Sequence, residues 1–222
     1  MKVLIVGANG KVAKHLAESL KDYPEIQERA VIRKEEQQEY FNQLGIETVV
    51  LDIVNNSIEE FTAVMSDVDA IVFSAGAGGA GLDKTIMIDL DGAVKIMTAA
   101  EKANVKRFIM VSTFRVGREE ITRQIQEDSS LKIYTIAKHY ADEWLKTRTE
   151  LDWTIIHPGI LTDKESTGKV TLASHVETGE IPREDVAKVI LETLKNDATI
   201  KKEFEVVSGD TKIYEAIKNL ND

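Results

Sequence analysis

"VGANGKVAKHL", residues 6–16, follows the apolar run "KVLIV" (residues 2–6) and leads into a segment whose Val12, Leu16, Ala17 and Leu20 share one helical face. Gly7 and Gly10 stand three apart, with Ala13 three further on. Glycine lets a chain turn sharply between strand and helix and brings backbone N–H groups close to a ligand, while a small third residue permits tight helix–strand contact. The start of the helix is the positive end of its dipole, so the stretch has the build of a diphosphate cradle. A glycine turn that binds nothing is spelled the same way, so the surrounding chain decides.

Outward from this point, short β-branched runs alternate with amphipathic segments. "RAVIR" (29–33) reads as a second strand, "EEQQEYFNQLG" (35–45) as a helix stopped by Gly45, and "IETVVLD" (46–52) as a third strand. "SIEEFTAVM" (57–65) opens on Ser57 as N-cap, "DAIVFSAG" (69–76) is a fourth strand, and "LDKTIMIDLDGAVKIMTAAEKAN" (82–104) a long helix. "VKRFIMVST" (105–113), "YTIAKHYADEWLKTRT" (134–149) and "LDWTIIHPG" (151–159) complete strand, helix and a sixth strand ended by proline. Continuously apolar strands such as "IVFSA" are buried on both faces, so the pattern predicts an α/β fold with a doubly wound, mainly parallel sheet. Beyond Gly159 the pattern loosens into "GKVTLA", a polar loop, "REDVAKVILETLKN", "KEFEVVSG" and a short helix. We read residues 1–222 as a single domain, with 161–222 a small cap on the substrate side that completes it.

Composition excludes several functions. A net charge of −10 opposes nucleic-acid or anionic-membrane binding, so any phosphate site must be made locally from amides and a few cations. With no cysteine there is no disulfide, thiolate metal site or thiol nucleophile, and the four histidines lack ligand spacing, so no metal is expected. "MKVLIVGANG" is too short for a secretory core and no run approaches a membrane span, which predicts a cytoplasmic protein.

"GANGKVA", "IDLDGA", "VKRFIMVST", "YTIAK", "LDWTIIHPG" and "IPREDVA" together resemble the short-chain dehydrogenase/reductase superfamily. The likeness is to its small atypical members, the NAD(P)-binding Rossmann proteins of flavin/biliverdin-reductase-like and NAD(P)-dependent epimerase type. For the cofactor, Gly7, Asn9, Gly10, Lys11 and Val12 form the phosphate loop, and Ser74, Ala75 and Gly76 let the ligand pass over the fourth strand. An NAD-selective site carries an acid after the second strand; Arg33 and Lys34 stand there instead and suit a 2′-phosphate, which favours NADP(H). Solvated cations balancing Glu35 and Glu36 would look the same. By resemblance, Asp52 and Ile53 contact adenine, while Lys138, Pro158, Gly159 and Ile160 lie on the nicotinamide side.

Tyr134 and Lys138, four apart on one helix, share a face. The resemblance makes Tyr134 the proton carrier and Lys138 its partner and ribose holder. Ser112 or Thr113 polarises the substrate oxygen, and Asp89 stands where related proteins place asparagine or aspartate. His157 replaces the arginine many relatives carry before the proline. These features imply an NADP(H)-dependent oxidoreductase acting on a small carbonyl, quinone-like or flavin-type acceptor. The alternatives are a non-catalytic NADP(H)-binding sensor and a nucleotide-sugar epimerase or dehydratase. The latter usually demands a larger C-terminal domain than this chain provides.

Overall fold

The computed structural model describes residues 1–220. The chain enters the centre of a nine-stranded sheet through β1 (Lys2–Val6), which lies between β2 (Gln27–Ile32) and β4 (Ala70–Phe73). From there it winds outward first through β2 to β3 (Glu47–Val50), then back through β4, β5 (Arg107–Val111), β6 (Asp152–Pro158) and β10 (Lys202–Ser208), all parallel. The reversal of strand order between β1 and β4 opens a crevice at the strands' carboxyl ends, where the glycine loop sits. Along β1 the side chains alternate: Val3 and Ile5 enter one core, Leu4 and Val6 the other. The first core is covered by α1 (Lys11–Ser19) and α8 (Arg183–Leu194). Phe61 and Met65, Ala93 to Ala100, and Ala141 and Leu145 cover the second.

Residues beyond 161 extend this same sheet. β10 pairs with β6, and β8 (Lys169–Ala173) and β11 (Thr211–Lys212) close the edge antiparallel. β7 (Ile160–Thr162) and β9 (Glu180–Pro182) form a separate parallel pair. Residues 221–222 of the expected cap lie outside the described residues.

Two elements differ from the periodicity. The long helix is three pieces: α4 (Leu82–Lys84), a π-helical segment over Thr85–Gly92, and α5 (Ala93–Lys102). The stretch between β5 and α7 (Lys132–Arg148), unassigned from sequence, contains α6 (Arg118–Gln126). Among the described residues, no helix is long and apolar enough to cross a membrane.

Candidate active site

The crevice holds two adjoining cavities. The first, about 400 Å³, is lined by Gly7, Asn9 and Gly10 on one side and Arg33, Asp52 and Ile53 on the other, with Ser74, Ala75 and Gly76 as floor. Gly7 has φ +86°, and a Cβ there would fall 2.7 Å from the Ala75 backbone, so both steric room and conformation require glycine. Gly10 is the N-cap of α1, which has no side-chain cap and no acidic residue in its first turn. An anion can therefore take the place of a cap at this helix end. That unfilled cap and the glycine cradle fit the diphosphate of a dinucleotide.

Arg33 is exposed in the wall, on a turn fixed by Gln37, whose Oε1 accepts from Arg33 N (3.0 Å) and Lys34 N (3.1 Å). Lys34 lines neither cavity; its ammonium pairs with Glu36 at 3.4 Å. Asp52 Oδ1 accepts from Val54 N (2.8 Å), and Lys95 reaches the Ile53 carbonyl (2.6 Å), so this loop is tied from both ends.

The second cavity, about 750 Å³, shares Gly10 and Ser74 to Ala77 with the first and adds Lys11, Val12, Asp89, Ser112, Tyr134, Lys138 and Pro158. Lys138 is buried, its Nζ 3.2 Å from Asp89 Oδ1, 3.3 Å from the Val111 carbonyl and 5.9 Å from the Tyr134 ring centre. Burial works to lower the Lys138 pKa, but Tyr134, Asp89 and Asp142 outweigh it and hold the ammonium above its ordinary range. Asp89 projects from the π-helical segment, is fully buried, and accepts from Ala77 N at 2.9 Å. Its other oxygen meets Lys138 as an ion pair without hydrogen-bond alignment.

Ser112, not Thr113, lines the cavity. Thr113 instead offers its carbonyl to His157 Nδ1 at 2.9 Å, a bond in which the ring nitrogen donates. The buried His157 ring places Nε2 3.4 Å from Glu203 Oε2. Burial opposes the charged ring, but Glu203 and Asp142 raise the His157 pKa, and the His157 bond pulls Glu203 down to about 2.

Pro158 reaches the cavity, whereas Gly159 and Ile160 do not. Gly159 donates its N–H to the Val206 carbonyl and packs so closely that a Cβ would fall 2.4 Å from the Gly179 oxygen. Ile160 is exposed on β7. Sequence reading missed Gln37, Lys84, Leu82, Leu131 and Arg183 as cavity residues. Arg183 and Lys11 both bind Asp163 at 2.6 Å, which bridges the glycine loop to the start of α8. Among the described residues, no group of three or more His, Asp or Glu side chains is placed to hold a metal.

A family model described as NAD(P)H-binding matches residues 7–197. The chain is 42% identical over 221 residues to Bacillus subtilis YhfK, described as an uncharacterized sugar epimerase, covering 99% of this chain and 100% of that one. A solved Bacillus halodurans protein, provisionally described as an NAD-dependent epimerase/dehydratase, is 43% identical with TM-score 0.89, covering 99% and 100% of the two chains. The Lactococcus lactis oxidoreductase ylbE is 40% identical with TM-score 0.87, covering 99% of this chain and 96% of its own.

Proposed function

This chain belongs to the NAD(P)H-binding family, and on that premise we propose that it is an NADPH-dependent oxidoreductase reducing a small carbonyl, quinone-like or flavin-type acceptor. The observation that carries this reading is convergence: Tyr134, Lys138 and Ser112 meet in one cavity that shares its floor with the glycine-loop cavity. When bound, the nicotinamide supplies the hydride. Tyr134 gives one proton to the substrate oxygen, so that hydride and proton together complete a two-electron reduction. Lys138, held by Asp89 and the Val111 carbonyl, keeps a positive charge beside the Tyr134 ring and supports the phenolate left behind. Ser112 orients the substrate oxygen. Amides at the start of α1 hold the diphosphate, and Arg33 takes the 2′-phosphate that distinguishes NADPH from NADH.

A second reading, sugar-nucleotide epimerase, draws on the descriptions of YhfK and the Bacillus halodurans protein. An epimerase returns its hydride and consumes no net cofactor. Purified protein is mixed with NADPH and a panel of quinones, aldehydes and free flavins, and in parallel with nucleotide sugars. Stoichiometric NADPH oxidation supports the oxidoreductase; sugar isomers formed at constant cofactor overturn it. Binding without either reaction leaves a sensor.

A further inference from the structure

Tyr134, Lys138 and Asp142 follow at four-residue intervals on α7 and so share one face of that helix. The first two belong to the proposed reaction, and the role of the third depends on that reading. Asp142 does not line the cavity; it lies behind Ser112, which does. Ser112 Oγ donates to Asp142 Oδ2 over 2.5 Å, the two residues are 4% and 1% exposed, and Asp142 Oδ1 has no hydrogen-bond partner among the described residues. A hydroxyl carries a single proton. While that proton is committed to a carboxylate, Ser112 presents only lone pairs to the cavity, and these repel the substrate oxygen it is meant to polarise.

We propose that Asp142 is a positioning residue acting through Ser112: as a carboxylate it retains the Ser112 proton, and as a carboxylic acid it donates to Ser112 Oγ and frees that proton for the substrate oxygen. The change takes one proton from solvent onto Asp142 and turns the Ser112 hydroxyl about its Cβ–Oγ bond; no electrons move.

The surroundings place this change within reach. The charged groups facing Asp142 are Lys138 and Lys146 from its own helix and His157 from β6, with Glu203 of β10 behind the imidazole. Burial pushes the Asp142 carboxyl up to about 6, against His157, the Ser112 bond and both lysines, each of which favours the carboxylate. At neutral pH, therefore, Ser112 mainly donates to Asp142 and has only lone pairs left for the cavity.

The test is the pH profile of kcat for NADPH-dependent menadione reduction, across roughly pH 5 to 8. In the wild type, kcat falls as pH rises through the Asp142 transition, approaching about tenfold per unit. Asp142→Asn, whose amide does not titrate, loses this limb. His157→Gln removes the neighbouring cation and moves the limb to higher pH. Retention of the limb in Asp142→Asn overturns the proposal. Carboxyl-carbon NMR of Asp142 in the wild type supplies a readout independent of turnover. A titration near neutrality that moves upward in Ser112→Ala supports the switch, and a carboxyl silent across that range overturns it. A wild type inert on the whole acceptor panel sinks the reaction instead, and the NMR result then decides the switch alone.

Discussion

The two ends of the crevice are made of different material. At the glycine-loop end the wall is main chain, part of it tied internally by Ala8 N to the Val31 carbonyl and Gly10 N to the Gly7 carbonyl, with exposed side chains such as Asn9 and Arg33. At the other end the polar groups are side chains taken out of water: Asp89 and Ser112 from separate segments, and Lys138 and Asp142 from one helix. Solvated groups cost the fold little, whereas each buried charge must be matched by a partner or it destabilises the whole domain. Substitutions of exposed side chains at the first end should therefore change affinity alone, whereas Gly7 is held by the fold itself. Those at the second should change chemistry, stability or both.

The largest effect expected is that of Tyr134→Phe. Turnover falls by roughly 10²- to 10⁴-fold, as loss of a general acid implies, while NADPH affinity by calorimetry stays within about twofold. A parallel loss of affinity would break the division between the two ends. Lys138→Met comes next, because it leaves Asp89 buried without its cation; denaturant unfolding should show a loss of about 3 to 5 kcal/mol, largely recovered when Asp89→Asn is added.

Glu28, on β2, sharpens the contrast from outside the crevice. It is 6% exposed, neither carboxyl oxygen has a partner among the described residues, and burial raises its pKa to about 8. Below about pH 4.5 both folded and unfolded states are protonated and there is no penalty. As pH rises towards 8 the unfolded chain ionises first, so stability drains away across that window. Glu28→Gln should remove this slope and stabilise the protein on the order of 3 kcal/mol near pH 7, measured by urea midpoints at several pH values. An unchanged slope would show that some other group carries it. The smallest effect is Arg33→Asp, which should weaken NADPH binding about 10- to 100-fold, leave NADH binding nearly unchanged and not move the unfolding midpoint. A wild type preferring NADH would remove Arg33 from the site.

The same contrast explains what could be read from the sequence. The strands and the glycine loop are local: apolar runs, a three-residue glycine spacing and a Ser57 cap carry their own signals, and Ser57 does accept from Glu60 N at 3.2 Å. The pairing of Lys138 with Asp89 is not local, since it needs β5 and a π-helical turn to bring together residues 49 apart in the chain. Periodicity at 3.6 residues reads residues 82–104 as one helix, because the π segment over Thr85–Gly92 is less than two turns long and flanked by α-helix on both sides. Thr113 and Ser112 are equivalent in the sequence because only the direction in which each leaves the end of β5 separates them. Asp142 had a legible signal, the repeat of the four-residue step after Lys138. Arg183 lies within the "IPREDVA" motif, but its place in the cavity depends on how α8 returns to the crevice.

The close approach of Gly7 to Ala75 has a further consequence. With no slack between them, the ends of β1 and β4 form one rigid seat, and a ligand laid across it cannot part the strands. Differences in ligand size must be absorbed at the rims, by the Arg33 turn on one side and by the exposed Leu82 and Leu131 on the other. Such a seat transmits little strain between the rims, so changes to Arg33 and to Leu131 should combine additively in free energy.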